Sequence, residues 1–168
     1  MNKQAKTQSF AILLIRVWLG IRAFISGIEK FSGKIASDSD VVIDGATNSY
    51  GLTASESVKT YGIAFYHGIP AALKEKFLNE PLLPNFLVNF FDVILGPALI
   101  LFGITTVLGI IPRISLLALG FIFSILTVGL ILIKQDAGVA WLGTHILLIA
   151  FALYNAEKDK YTLLGKNL

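Results

Sequence analysis

No cysteine occurs anywhere in the 168 residues. That absence excludes disulfides, zinc–thiolate sites, cysteine-ligated iron–sulfur clusters and thiol exchange within this chain. Charge is the second scarcity. Only 15% of the residues are charged, against about 25% in an ordinary soluble domain. A water-soluble fold of this length would be left with large apolar patches on its surface. Glycine-rich phosphate loops and nucleophile elbows are also missing. What remains is apolar: hydrophobic residues make up 55% of the chain, and the mean hydropathy is +0.73. That content excludes a disordered chain, because so much apolar side chain would collapse. The net charge of +3 is not gathered into a basic stripe with exposed aromatics, so nucleic acid is not an expected partner. Lipid is the solvent this composition fits, and the length is that of one domain.

A helix needs about 20 apolar residues to cross a bilayer core. Four segments qualify: residues 9–31, 85–111, 114–133 and 137–156. Their apolar runs are continuous, whereas barrel strands alternate over about 10 residues. The expected fold is therefore all-α: an integral membrane four-helix bundle forming a single domain over residues 1–168. Pro97 falls inside the second span, where it removes one backbone hydrogen bond and is expected to kink the helix. Residues 109–112 fit a break before the third span, with Arg113 at the membrane surface. The opening Met-Asn-Lys-Gln-Ala-Lys and the apolar run after it imitate a signal peptide. Arg16 and Arg22 interrupt that run and no small-x-small cleavage site follows, so it reads as a retained span.

The basic residues give an orientation. One side carries Lys3, Lys6, Arg113, Lys158, Lys160 and Lys166 against Glu157 and Asp159. The 32–84 loop carries Lys34, Lys59, Lys74 and Lys76 against Asp38, Asp40, Asp44, Glu56, Glu75 and Glu80. Both termini are thus expected in the cytoplasm and the loop outside. At this length the loop should hold structure of its own. Residues 41–43 suit a short extended piece. Thr53 and Glu56 have the spacing of a capping box, which predicts a helix placing Val58, Tyr61 and Phe65 on one face. A second short helix is expected from Pro70 through Phe77. Such a loop would lie as an amphipathic cap on the membrane, cover a site as a lid, or dock a partner.

Ionisable groups at membrane depth are costly and call for a reason. Arg16, Arg22, Asp92 and His145 are the clear cases. Counted from the loop side at about 1.5 Å per residue, Arg22, Asp92 and His145 each lie roughly 10–14 Å deep. Three groups on three helices at one depth suggest a polar pocket. Arg22 and Asp92 would pair, and His145 would hydrogen-bond or transfer a proton. Trp141 would add an aromatic wall, and Ser26, Glu29, Asn89 and Thr144 border the same layer. The alternative is a buried Arg–Asp pair that fixes helix register, with His145 satisfied by a neighbouring carbonyl. Arg16 lies nearer the cytoplasmic face and is expected to snorkel to the headgroups or meet an anionic lipid. Most glycines in the spans read as close helix packing.

No intrinsic cofactor is expected. A bis-histidine haem needs two axial ligands, and only His145 lies within a span. Asp38, Asp40, Asp44 and Gly45 miss the EF-hand spacing, so no metal site is expected. No internal repeat accompanies Pro97, which argues against a transporter.

The first span carries Arg16-Val-Trp-Leu-Gly20, then Phe24, Gly27, Lys30, Phe31 and Gly33. This pattern resembles the opening helix of the DoxX/DoxD membrane-protein family. The second span is also similar, from Gly96 through Leu101-Phe-Gly103 to an Arg at 113. The long loop looks more like the DoxD branch, the small subunit of thiosulfate:quinone oxidoreductase. The resemblance carries over Arg16, Gly20, Gly27 and Lys30 as family positions. It implies a four-helix subunit of a redox-linked complex in a bacterial or archaeal cytoplasmic membrane, near quinone and beside partner proteins. A quinone ring needs an apolar slot with one or two donors. Arg22, His145 and Trp141 would supply these, with Asp92 holding one of them in place. The alternative function is a structural or assembly subunit that docks an extracytoplasmic protein through the 32–84 loop.

Overall fold

The computed structural model describes residues 3–40, 42–43, 46–47 and 53–163. Val41, Asp44, Gly45 and Lys166, whose sequence positions bear on the loop and on the charge balance, lie outside the described residues. Four helices are long and apolar enough to cross a membrane: α1 (Lys3–Glu29), α3 (Asn85–Leu108), α4 (Pro112–Leu132) and α5 (Asp136–Tyr154). A short α2 (Ala71–Leu78) precedes α3. The long helices close a ring in which α1 packs on α3, α3 on α4, α4 on α5, and α5 back on α1.

Glycine sets the closest of these contacts. A Cβ on Gly20 would stand 2.9 Å from the Gly103 carbonyl, and one on Gly27 3.0 Å from that of Gly96. The two backbones cross at small residues because nothing larger fits. The rest of the core is mostly aliphatic, with Leu19, Ala23, Leu95, Leu99, Leu116, Leu119, Ile149 and Ala152 buried among the helices beside Phe77 and Phe123.

Helix ends follow local chemistry. Gly109 takes a left-handed φ of 68° and its N–H returns to the Thr105 and Thr106 carbonyls, ending α3 three residues before the expected boundary. Pro112 then opens α4 at a position where its missing N–H has no helical acceptor to lose.

The loop departs from an all-α fold. Residues 53–61 form a strand, not a capped helix. β1 (Ser32–Asp40) pairs antiparallel with β4 (Thr53–Tyr61), in register from Ser32 opposite Tyr61 to Asp40 opposite Thr53. Within this hairpin, β2 (Val42–Ile43) pairs with β3 (Ala46–Thr47). Thr53, Val58, Thr60 and Tyr61 are β-favouring residues, and a ladder with β1 satisfies more backbone than one capping contact. The second expected helix does form: α2 follows Pro70, and its Phe77 is buried against Gly129 of α4.

The segment after α5 returns to the first turns of α1. Beyond α5, the Ser9 hydroxyl donates to the Lys158 carbonyl at 2.7 Å, and Phe10 stacks on Tyr161 with ring centroids 5.3 Å apart. The start of α1 and the C-terminal tail therefore share one end of the bundle, opposite the hairpin and α2.

Candidate functional site

Arg22, Trp141 and His145 come together between α1 and α5; Asp92 does not join them. The Arg22 guanidinium carbon lies 6.0 Å from the Trp141 ring centroid, within range of a cation–π contact. His145 is 4% exposed. Three aromatic rings surround it: Trp18 at 5.2 Å, Phe123 at 5.6 Å and Trp141 at 5.8 Å between centroids. Trp18 and Phe123 are additions that reasoning from the sequence misses. The spacing holds a signal for Trp18, which precedes Arg22 by one turn as Trp141 precedes His145. Phe123 can be found only by knowing how α4 packs on α5.

The tautomer of His145 follows from its partner. Its Nδ1 lies 2.7 Å from the Trp141 carbonyl. A carbonyl only accepts, so Nδ1 carries the proton and Nε2 of the neutral ring carries the lone pair. The site thus combines a fixed cation, a proton acceptor and flat apolar walls. Trp141 and Trp18 remain exposed on the outside of the bundle. Along α1, Phe10, Leu13, Leu14, Val17, Trp18 and Ile21 line an open, shallow apolar groove.

Asp92 serves a different purpose. Its Oδ2 accepts from Lys74 Nζ at 2.6 Å and its Oδ1 from the Ile69 N–H at 2.6 Å. The expected Arg22–Asp92 pair is absent because α1 presents Gly20 and Gly27 to α3. Two residues beyond Gly20 is a rotation of about 200°, so Arg22 points away from α3 and toward α5. Beside Asp92, Tyr66 reaches into the break made by Pro97. With no N–H at residue 97, the Val93 carbonyl loses its helical donor. The Tyr66 hydroxyl lies 2.8 Å from that carbonyl and 2.7 Å from the Asp92 carbonyl, and accepts from the Gly96 N–H at 3.2 Å. Burial pushes the Tyr66 pKa up, so the hydroxyl keeps its proton. Asn89 and Thr144, expected to border the pocket, are exposed, and Thr144 Oγ1 bonds back to the Ala140 carbonyl.

Arg16 does not snorkel. It is 2% exposed and paired with Asp159 at 2.7 Å, and its Nη2 donates to the Tyr161 carbonyl at 2.7 Å. The tail folds over it, and Gly109 leaves room for it: a Cβ there would stand 2.6 Å from Nη1. A charge this deep demands a counter-ion, and Asp159 is one of only two acids the sequence places on the tail side.

Family models, curated proteins and solved structures return no match to this chain. Any ligand must therefore be inferred from the chemistry of the residues themselves.

An open cavity lies at the loop end of α1. Arg22, Ser26, Glu29, Lys30 and His67 line it. The Glu29 carboxylate accepts from Lys59 at 2.6 and 2.8 Å and from Tyr61 at 2.8 Å. A separate cavity of about 400 Å³ between α2, α3 and α4 is bounded by Ile69, Phe77, Val88, Phe91 and Leu126. It is wholly apolar and holds none of the predicted site residues.

Proposed function

We propose that this chain is an integral membrane subunit of a redox-linked complex, of the DoxX/DoxD kind, and that it binds a quinone between α1 and α5. The observation that carries the reading is the Arg22–Trp141–His145 cluster, in which an exposed cation and a buried imidazole stand on either side of an exposed indole. Arg22 would donate to one ring oxygen. His145 Nε2 would accept the hydroxyl proton of the reduced form. The groove along α1 would take the isoprenoid tail, while Trp18 and Trp141 flank the ring. Oxidising a quinol releases two protons and two electrons; the electrons would pass to a redox centre on a partner subunit. The basic surplus at the tail end supports termini in the cytoplasm and the hairpin outside. Gly20 and Gly27, two of the four positions behind the family resemblance, sit at the α1–α3 crossing.

Extraction of the detergent-purified protein with organic solvent, followed by chromatography, tests this. Wild type should carry quinone, and His145→Ala or Arg22→Ala should lower its occupancy. Wild type without quinone, and with no difference signal on titration, would sink the reading.

One observation favours assembly as a second role. On the hairpin, Ile35 and Val58 stand opposite each other and are half exposed, at 50% and 51%. An apolar cross-strand pair held away from the bundle is a docking feature. A pull-down should lose a partner when Ile35 and Val58 are both replaced by serine.

A further inference from the structure

We propose that the cavity at the loop end of α1 seats the phosphate of an anionic lipid headgroup, held by Lys30 with Arg22 and Ser26. The α1 stripe of Arg22, Ser26, Glu29 and Lys30 turns one continuous face to this space. Arg22 and Lys30 are eight residues apart, about 12 Å along the axis, a gap that two long side chains can close around one phosphate. Neither makes an ion pair among the described residues. Glu29, the acid in the lining, is bridged by Lys59 and Tyr61. Asp92, the carboxylate acting on Lys30 from α3, is held by Lys74 and the Ile69 N–H. Lys30 is half buried, makes no ion pair among the described residues, and has its pKa lowered, chiefly by burial. A partly desolvated ammonium facing an open cavity lacks an anion. His67, whose Nδ1 is occupied by the Phe65 carbonyl, borders the cavity from the loop. Ile25 in its lining is exposed, so a headgroup can enter with its chains left in the bilayer. A phosphate is preferred to a carboxylate because its several oxygens can engage Lys30, Arg22 and the Ser26 hydroxyl together.

Both readings draw on Arg22, but the quinone reading does not use Lys30, so variants at position 30 separate the two. Native mass spectrometry of the full chain in mild detergent, titrated with phosphatidylglycerol or phosphatidylcholine, reads the lipid arm. Thermal melting with inorganic phosphate reads the free-anion arm. Phosphatidylglycerol should bind more tightly than phosphatidylcholine. Lys30→Gln should weaken it about tenfold, the size of one charge-assisted contact, and Lys30→Arg should restore it. Lys76→Gln, which removes an exposed lysine at the same end, controls for general adhesion and should change nothing. Stabilisation by inorganic phosphate with the same Lys30 dependence would support the site and name a free phosphate as its source. Equal binding by wild type and a folded Lys30→Gln, for both ligands, would overturn the proposal. So would an equal loss in Lys76→Gln.

Discussion

Two arginines on α1, six positions apart, meet opposite fates. Arg16 faces the α3–α4 turn and is sealed under the tail by Asp159. Arg22 faces α5 and stays exposed over Trp141. The burial of the Arg16–Asp159 pair makes it intolerant of losing one partner. Asp159→Ala should cost about 3–5 kcal/mol by leaving an uncompensated guanidinium, read as a fall in the midpoint of thermal or denaturant unfolding; an unchanged midpoint would contradict the pairing. Lys30 presents the reverse case, a charge that burdens the fold. Its pKa is lowered, so below that value the folded state holds a proton it binds less tightly than the unfolded chain does. Stability should therefore rise as pH climbs through the lowered pKa toward the ordinary lysine range. Lys30→Met should raise the melting temperature at neutral pH, and the gain should shrink as the medium becomes alkaline. A gain that does not change with pH would mean that the charge is not its source.

Among the elements, the helices are legible from the sequence and the loop is only half so. Continuous apolar runs leave one solution in lipid, and Gly109 and Pro112 punctuate it. The 53–61 segment is ambiguous because Val58 and Tyr61 suit a helical face as well as a strand, and the deciding partner, residues 32–40, is remote. The partners of Asp92 and Arg16 are hidden for the same reason: Lys74 and Asp159 come from segments whose fold-back no periodicity encodes. Pro97 shows half of its story, since the missing N–H is evident in the sequence but the hydroxyl that repairs the break is not. That repair yields a coupled prediction. Tyr66→Phe should destabilise by about 1–3 kcal/mol, the cost of orphaned buried carbonyls. Pro97→Ala restores a donor to Val93, so Tyr66→Phe should cost less in that background. A double-mutant cycle on unfolding midpoints measures the coupling; strictly additive effects would refute it.

For the whole molecule, the loop is not one detachable cap. Its second half belongs to the bundle, because Phe77 and Ile69 are buried with the core helices. Removing residues 36–80 would open the core, whereas joining Ile35 to Val58 through a two-residue turn should leave four inserted helices and remove only the hairpin tip. If the hairpin docks a partner through Ile35 and Val58, a chain with Ile35→Ser and Val58→Ser should melt close to wild type yet lose the partner in a pull-down; retention of the partner would assign docking elsewhere. Charges are few: Asp159 pairs Arg16, Asp92 locks α2 through Lys74, and Arg22, Glu29 and Lys30 line one cavity. Arg22 and His145 each lie beside Trp141, and Asp92 is diverted because α1 and α3 meet at glycines. The central claim is that Arg22, Trp141 and His145 bind a quinone ring, and titrating the purified protein with a short-chain quinone while following tryptophan fluorescence tests it most directly. Saturable quenching in wild type, weakened about tenfold by His145→Ala, is the predicted result. Quenching that never saturates, or that is the same in a folded His145→Ala variant, would contradict it.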